Sequence, residues 1–238
     1  MRTCGGYYRK ILKNVFNIGA CVAVEDRSRR NSINQTEKKM KTAIVLNSPE
    51  PVKNVKEENV IYADAGYKHK AFLGDKKTLA VVGDFDTLGE QPYNEPIVGL
   101  EKEKDYTDGE RAVRYAKEKG AEEIVIYGAF GGKPEHILGN IALLAVAEKI
   151  GLKASLRGDN YTVFLVCGER SFCVRQKTSV SLIPYTDECT VTDSRGLYYP
   201  LENLVLTKSD TRGISNVATE KEFSIKVCRG KVLAIIYD

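Results

Sequence analysis

Short apolar segments alternate with longer helical ones between residues 41 and 158. Five apolar runs predict buried strands, at 42–47, 59–64, 79–84, 123–128 and 154–157. Helices are predicted at 107–119 and 134–150, each closed by a glycine. The second has an apolar face made of Ile137, Leu138, Ile141, Leu144 and Ala145. Apolar strands that alternate with helices are typical of a parallel sheet covered on both faces. The pattern therefore predicts an α/β fold, a mostly parallel sheet flanked by helices.

The pattern changes after residues 158–160, Gly-Asp-Asn. Short runs follow, many of them alternating, at 161–166, 172–175, 180–184, 190–193, 204–207, 223–228 and 232–237. Turn residues separate these runs at the spacing of an all-β sandwich, and the sequence shows no convincing helix among them. We therefore expect an α/β domain at 40–158 followed by an all-β sandwich domain at 159–238.

Residues 1–39 differ from the rest of the chain in charge. They contain nine Lys or Arg and three Asp or Glu, whereas the remainder, with 27 basic and 29 acidic residues, is nearly neutral. Residues 27–39 are almost wholly polar and bury too little apolar surface to offset the entropy of ordering. The segment is predicted to be a poorly ordered basic extension, with a basic amphipathic helix or a targeting segment as alternatives. Met40 is a possible start of translation.

Composition narrows the class of protein. The 42% hydrophobic and 29% charged residues are ordinary for a soluble globular chain. The nearly neutral body lacks the basic surface of a nucleic-acid binder, and no apolar run approaches the ~20 residues that span a membrane. Six cysteines include no C-x-x-C pair, which argues against a zinc ribbon and favours a reduced, cytoplasmic protein. We expect neither a nucleic-acid nor a membrane partner.

Aspartates follow two of the predicted strands directly. Asp64 ends the run 59–64, and Asp84 ends the run 79–84, with Asp86 two residues later. Ligands of open α/β sheets bind beyond the carboxyl ends of the strands. Carboxylates held side by side repel one another unless a cation lies between them, and Mg²⁺ prefers such oxygen ligands and shares them with phosphate. The sequence favours a Mg²⁺ site here over a set of capping or turn aspartates.

The segment 103–108 leads into the first predicted helix. Thr107 and Glu110 have the spacing of a capping box, in which Thr107 is the N-cap. Capping leaves Asp105 and Asp108 beside the positive end of a helix, where a metal-bound phosphate could also bind. Lys104 could add a point charge on that phosphate.

A glycine-rich segment, Gly-Ala-Phe-Gly-Gly-Lys-Pro-Glu-His, occupies residues 128–136 after the fourth strand. Its glycines would let backbone N–H groups approach a ligand closely, and Pro134 would start the next helix. The spacing fits neither a Walker A loop nor a dinucleotide fingerprint. Lys133 is a candidate phosphate ligand, and His136 is either a ligand or a helix-cap residue.

Five motifs in this order resemble the thiamine pyrophosphokinase family. They are Gly-Asp-Phe-Asp-Thr at 83–87, Lys-Asp-Tyr-Thr-Asp at 104–108, the segment 128–136 followed by Asn140, Gly-Leu-Tyr-Tyr-Pro-Leu at 196–201 and Gly-Ile-Ser-Asn at 213–216. The likeness covers residues 40–238. It implies an α/β domain that binds ATP, a β-sandwich domain that helps to bind thiamine, and a homodimer with its sites at the subunit interface. The implied reaction is the Mg²⁺-dependent transfer of pyrophosphate from ATP to the thiamine hydroxyl.

The same resemblance implies roles for individual residues. Asp84, Asp86 and Asp108 would be the catalytic Mg²⁺ ligands. The residues expected near the nucleotide are Asp64, Lys104, Asp105, Thr107, Gly131, Gly132, Lys133, Glu135 and His136. Tyr199, Ser215 and Asn216 would lie near thiamine, where an aromatic ring can stack on a cationic heterocycle.

The chain also departs from the family pattern. Lys133 and Glu135 stand where an arginine and an aspartate are usual, and lysine lacks the two-pronged grip of arginine on phosphate. Ala65 and Tyr67 replace smaller or more flexible residues after Asp64. Two alternatives therefore stay open: a pyrophosphokinase that acts on a pterin alcohol, and a non-catalytic sensor of a nucleotide or of thiamine diphosphate.

Overall fold

The computed structural model describes residues 40–89, 92, 94–99 and 105–238. The predicted basic extension, residues 1–39, lies outside the described residues, as does Lys104. The strands are β1 (Lys41–Val45), β2 (Asn59–Ala63), β3 (Lys77–Gly83), β4 (Ile97–Gly99), β5 (Glu123–Tyr127), β6 (Lys153–Arg157), β7 (Tyr161–Cys173), β8 (Ser179–Pro184), β9 (Glu188–Arg195), β10 (Leu204–Thr207), β11 (Asn216–Val217) and β12 (Glu222–Tyr237). The helices are a 3-10 helix (Asp64–Phe72), α1 (Asp108–Glu118) and α2 (Pro134–Lys149).

The first six strands form a parallel sheet in the order β6-β5-β1-β2-β3-β4. The chain moves from β1 outward to β4, then returns to the other side of β1 for β5 and β6. The strand order thus reverses between β1 and β5, and ligands of such sheets bind beyond the carboxyl ends of the strands at this point. The connections 46–58 and 128–133 border that position.

The two faces of the parallel sheet are covered differently. Both α-helices pack on one face, where Ala112, Val113, Leu144 and Ala147 join a core with buried residues of the strands. The opposite face is covered by the connection 46–58 and by the end of the 3-10 helix rather than by α-helices. This second cover is therefore made largely of irregular segments, among them the connection that follows β1.

The β-rich second part folds back on itself at a bend in β7 and β12. The rings of Phe164 and Phe172 lie 5.3 Å apart, although eight residues of straight strand would separate them by about 26 Å. Gly168 in β7 and Gly230 in β12 have positive φ angles, and the pairing register of the two strands shifts between Val227 and Val232. Strands that pass through such a bend form the corner of a sandwich.

The second part has its own hydrophobic core, made of residues from β7, β8, β9, β10 and β12. β12 pairs with β7 along its length, with β9 before the bend and with β8 after it. One long strand therefore links both layers of the sandwich.

The predicted fold class is confirmed, with changes in detail. The runs 161–166 and 172–175 are one strand, β7, and the runs 223–228 and 232–237 are one strand, β12. The 3-10 helix, β4 and β11 were not expected from the pattern. β6 pairs with β7, so the sheet continues across residues 158–159, and the domain boundary at that position stays a prediction. Within the described residues, no helix is long and apolar enough to cross a membrane.

Candidate active site

Three aspartates meet where β2 and β3 end. Asp64 follows β2 and starts the 3-10 helix, whereas Asp84 and Asp86 follow β3. One carboxylate oxygen from each lies within 4.8 Å of the others. The neighbouring parallel strands bring these side chains to one edge of the sheet, as the sequence predicted for strand-end aspartates.

Two residues of this corner have left-handed backbone conformations. Asp64 has φ 42° and Phe85 has φ 62°, values that non-glycine residues rarely adopt. Phe85 is buried, while Asp84 and Asp86 on either side of it are more exposed. The two aspartates thus share a side because the backbone turns at Phe85, and not because the segment is extended with alternating side chains. The Asp86 N–H donates to Oδ1 of Asp84 at 3.3 Å within this turn.

The acidic cluster suits a hard divalent cation. Asp64 is 6% exposed, and its buried Oδ1 has no hydrogen-bond partner among the described residues. A buried carboxylate oxygen without a partner is costly, and two further carboxylates nearby add repulsion. Oxygen ligands of this kind are those that Mg²⁺ takes, usually together with water and phosphate. The residues present therefore fit Mg²⁺.

Asp108 is not a member of this group of three. It is the first residue of α1, after the N-cap Thr107, whose hydroxyl accepts from the Glu110 N–H at 3.2 Å. The predicted capping box is only half formed, because the Glu110 carboxylate accepts from Arg114 instead. Asp105 is exposed just before the helix. The role of Asp108 as a metal ligand stays a prediction.

The glycine-rich connection packs against the end of β1. A Cβ on Gly128 would lie 2.6 Å from the Leu46 carbonyl oxygen, so only glycine allows this approach. Asn140 of α2 donates to the Ala129 carbonyl at 3.0 Å and holds the connection from the helix side. The residues from Gly131 to His136, which include Gly132, Lys133 and Glu135, are all exposed. The start of α2 is therefore open to a ligand at the carboxyl edge of the sheet.

His69 is a site-supporting residue that the sequence did not single out. It is buried in the 3-10 helix, and its two ring nitrogens lie 3.3 Å from the backbone N–H groups of Ser48 and Val52. A neutral imidazole accepts a hydrogen bond at one ring nitrogen, and a protonated imidazole accepts one at neither nitrogen. Burial, with the charge of Lys68 adding to it, lowers the pKa of His69 below its ordinary value. The neutral ring thus secures the connection 46–58.

The residues predicted to lie near thiamine form one group in the second part. Tyr199 and Ser215 are exposed, and Ser215 has φ 64°. Asn216 is 5% exposed, and backbone groups are its hydrogen-bond partners: Oδ1 accepts from Tyr199 N at 3.0 Å and Val217 N at 2.8 Å, and Nδ2 donates to Tyr199 O at 2.8 Å. Asn216 therefore fixes the backbone that presents Tyr199.

The fold and this edge define an α/β protein with an acidic cluster at the carboxyl edge of its parallel sheet, and the chemistry of this cluster suits a metal-bound phosphate ligand. The model of the thiamin pyrophosphokinase catalytic domain matches residues 53–156, and the model of the thiamin pyrophosphokinase vitamin B1 binding domain matches residues 173–232. The chain belongs to the thiamine pyrophosphokinase family, a family of kinases.

Individual relatives agree with this placement. A thiamine pyrophosphokinase from Bacillus subtilis (strain 168) is 30% identical over 199 residues, which cover 75% of this chain and 93% of the relative. A solved structure of thiamine pyrophosphokinase from Bacillus subtilis has a TM-score of 0.72 at 25% identity and covers 83% of this chain and 98% of that one. Thiamin pyrophosphokinase from Candida albicans, at 17% identity, shares the fold with a TM-score of 0.65 over 83% of this chain and 89% of that one.

Proposed function

We propose that the protein is a Mg²⁺-dependent enzyme that transfers pyrophosphate from ATP to the hydroxyl of thiamine and so produces thiamine diphosphate and AMP. The observation that carries this proposal is the meeting of Asp64, Asp84 and Asp86 at the carboxyl edge of the sheet. Membership of the family supplies the substrates. In the reaction, the thiamine oxygen forms a bond to the β-phosphorus as the bond from that phosphorus to the AMP oxygen breaks.

The carboxylates of Asp64, Asp84 and Asp86 would hold the metal, with Asp108 as a predicted further ligand from the start of α1. This assignment adds Asp64 to the ligands implied by the family resemblance, because of its place in the cluster. When bound, Mg²⁺ supplies neutralisation of charge on the phosphate oxygens. The protein side chains contribute mainly by fixing the distance and direction between the reacting groups.

The nucleotide would lie at the reversal of strand order between β1 and β5. Gly131 and Gly132 would offer backbone N–H groups to the phosphates, and Lys133 would offer its ammonium group. Glu135 and His136 are exposed beside them in the first turn of α2. Asp105 and Thr107 lie just before the start of α1 and stay predicted neighbours of the phosphates, as does Lys104, which is outside the described residues.

Thiamine would be bound by the β-rich part. The exposed ring of Tyr199 suits stacking on a cationic heterocycle, and Ser215 adds a hydroxyl group beside it. We assign Asn216 a positioning role, because its buried side chain is occupied by backbone partners. The proposal also includes an α/β domain at 40–158 that binds ATP and a sandwich domain at 159–238 that binds thiamine. Two copies of the chain would form a cytoplasmic homodimer with its sites at the subunit interface.

The test is incubation of the full chain with ATP, Mg²⁺ and thiamine, followed by separation of the products. AMP and thiamine diphosphate formed in equal amounts support the proposal. AMP formed only with a pterin alcohol indicates the alternative acceptor, and nucleotide or thiamine diphosphate binding without AMP indicates a sensor.

The Asp84→Asn variant tests the metal assignment within this reaction. Its side chain keeps its size but loses a charged metal ligand, so turnover should fall at least a hundredfold, a barrier increase of about 2.7 kcal/mol. Ser215→Ala serves as a comparison, since it should act mainly on the KM for thiamine. An Asp84→Asn enzyme that keeps turnover within about threefold of the parent, or under ~1 kcal/mol, would show that the metal assignment is wrong.

A further inference from the structure

Glu95 joins the two segments that carry the acidic cluster. Its carboxylate accepts from Nζ of Lys70 and from the hydroxyl of Tyr67 at 3.4 Å, and both donors belong to the 3-10 helix that begins at Asp64. The Glu95 side chain is only 12% exposed. It therefore holds the 3-10 helix through two of its side chains in a largely desolvated contact.

The other end of this link is attached to β3. Pro96, the next residue, accepts from the Val81 N–H at 2.8 Å, and Ile97 pairs with Val81 in the sheet. β3 then runs directly to Asp84. Glu95 thus connects the helix that starts at Asp64 with the strand that leads to Asp84.

The aromatic side chains next to Glu95 extend the contact towards Asp64. The rings of Tyr67 and Tyr62 lie 5.5 Å apart in an edge-to-face arrangement, and Nζ of Lys70 lies 5.7 Å from the Tyr67 ring centre. Tyr62 is fully buried in β2, two residues before Asp64. The buried ring of Tyr62 therefore anchors Tyr67 against the sheet.

The 3-10 helix needs such support. Runs of this helix beyond three or four residues are uncommon because their hydrogen-bond geometry is poor, yet this one covers nine residues. Its first residue, Asp64, has a strained left-handed backbone, and the preceding Ala63 supplies no capping side chain. Contacts from outside the helix must therefore keep Asp64 in place.

We propose that Glu95 is a positioning residue that sets the Asp64 carboxylate beside Asp84 and Asp86 for metal binding. The inference rests on the proposed function, because it assigns the acidic cluster to a cation. Tyr67 is one of the residues in which this chain departs from the family pattern. The contact between Tyr67 and Glu95 is therefore a feature of this chain and not of that pattern.

Ionisation of Glu95 agrees with this role. Burial alone would raise the pKa of Glu95, but the hydrogen bond and the positive charge of Lys70, together with the Tyr67 hydroxyl, hold the pKa below its ordinary value. The carboxylate is therefore charged at neutral pH and keeps both contacts.

The test measures Mn²⁺ binding to the full chain without substrates, by calorimetry or electron paramagnetic resonance, alongside the Mg²⁺ dependence of turnover. Glu95→Gln keeps the size of the side chain but removes the ionic contact, and residues that orient metal ligands typically change metal affinity by roughly tenfold or more. We expect Mn²⁺ binding weaker by about that factor, and a higher Mg²⁺ requirement with a smaller change of kcat at saturating Mg²⁺.

Lys70→Met separates positioning from simple charge. Loss of a cation near the cluster should tighten metal binding if only long-range charge matters, whereas loss of the helix contact should weaken it. The inference requires weaker binding in Lys70→Met as well as in Glu95→Gln. Glu123→Gln, which breaks an exposed ion pair with Lys41 on β1, is the matched control and should leave metal binding unchanged.

Two results would overturn the inference. The first is a Glu95→Gln variant whose affinity for Mn²⁺ is within about twofold of that of the parent, a difference of about 0.4 kcal/mol. The second is a Lys70→Met variant that binds Mn²⁺ more tightly than the parent does. If Glu95→Gln does not fold, Lys70→Met decides alone. Product formation by the parent is a separate measurement, so a parent that binds Mn²⁺ but forms no AMP would contradict the proposed function and leave the Glu95 test readable.

Discussion

Asp64 combines two features that each cost free energy. Its backbone is left-handed at φ 42°, which costs on the order of 1 kcal/mol for a non-glycine residue, and its carboxylate oxygen is buried without a partner among the described residues. Such features persist where the surrounding structure enforces them, and they concentrate at functional sites. A bound cation would remove the electrostatic part of this cost. Mg²⁺ should therefore stabilise the folded protein as well as support its activity.

His69 makes the stability of the protein depend on pH. Its pKa in the folded protein is lowered, whereas the unfolded chain has a value of about 6.5, so between the two values the unfolded state binds more protons. The free energy of unfolding should therefore fall as the pH drops below about 6.5. His69→Gln should remove this part of the pH dependence, as measured by urea unfolding at pH 7.5 and 5.5.

The second histidine of the chain provides the control. His136 is exposed at the start of α2, and His136→Gln should keep the pH dependence of the parent. A His69→Gln variant that loses as much stability between the two pH values as the parent does would contradict a neutral, buried role for His69.

Single residues show what the sequence could and could not predict. The strand-end aspartates were predictable, because parallel strands bring their carboxyl ends to one edge. Of the residues expected on the buried face of α2, Leu144 is buried but Leu138 is 70% exposed, and Leu143 and Ala147 also face the core. The helix is apolar on more than one side, so its period identified the buried face only in part. Nothing local in the sequence indicated the role of Glu95, because that role depends on its contacts with Lys70 and Tyr67, which are 25 and 28 residues away.

At the scale of elements, α1, α2 and the strands of the parallel sheet other than β4 followed from local pattern, whereas β4 and the connections did not. The 3-10 helix has no marked amphipathic period, so nothing local distinguishes it from a loop. The sequence pattern predicted β7 and β12 each as two separate strands, because polar residues at the bend interrupt the alternation of apolar and polar positions. The bend itself depends on pairing between segments far apart in the chain, which local pattern does not report.

The N-cap of α1 sets the stability of the element that carries Asp108. Thr107→Ala removes the acceptor of the Glu110 N–H and should lower the free energy of unfolding by about 1 kcal/mol. Thr107→Ser keeps the hydroxyl and should remain close to the parent in the same urea titration. Equal stability of the Ala and Ser variants would mean that the cap contributes nothing to the fold.

At the scale of the whole molecule, the bend that forms the sandwich relies on Gly230. Its φ is +68°, and an added Cβ would lie 2.2 Å from the Glu188 carbonyl oxygen. Gly230→Ala should therefore destabilise the protein by more than the ~1–2 kcal/mol of an unfavourable backbone conformation. Gly151→Ala has the same φ in open space and isolates that backbone cost. Similar unfolding free energies for the two variants would contradict a close approach at the bend.

The place of β12 between three partners has a consequence for the newly made chain. Without residues 222–237, the backbone edges of β7, β8 and β9 that now pair with β12 would be left bare. Uncovered strand edges are templates for pairing with other molecules, so a polypeptide that has not yet received this strand is open to aggregation. Correct assembly of the β-rich half therefore waits until residues 222–237, which follow all three partner strands in the chain, have left the ribosome, and chaperone protection would matter most during that interval.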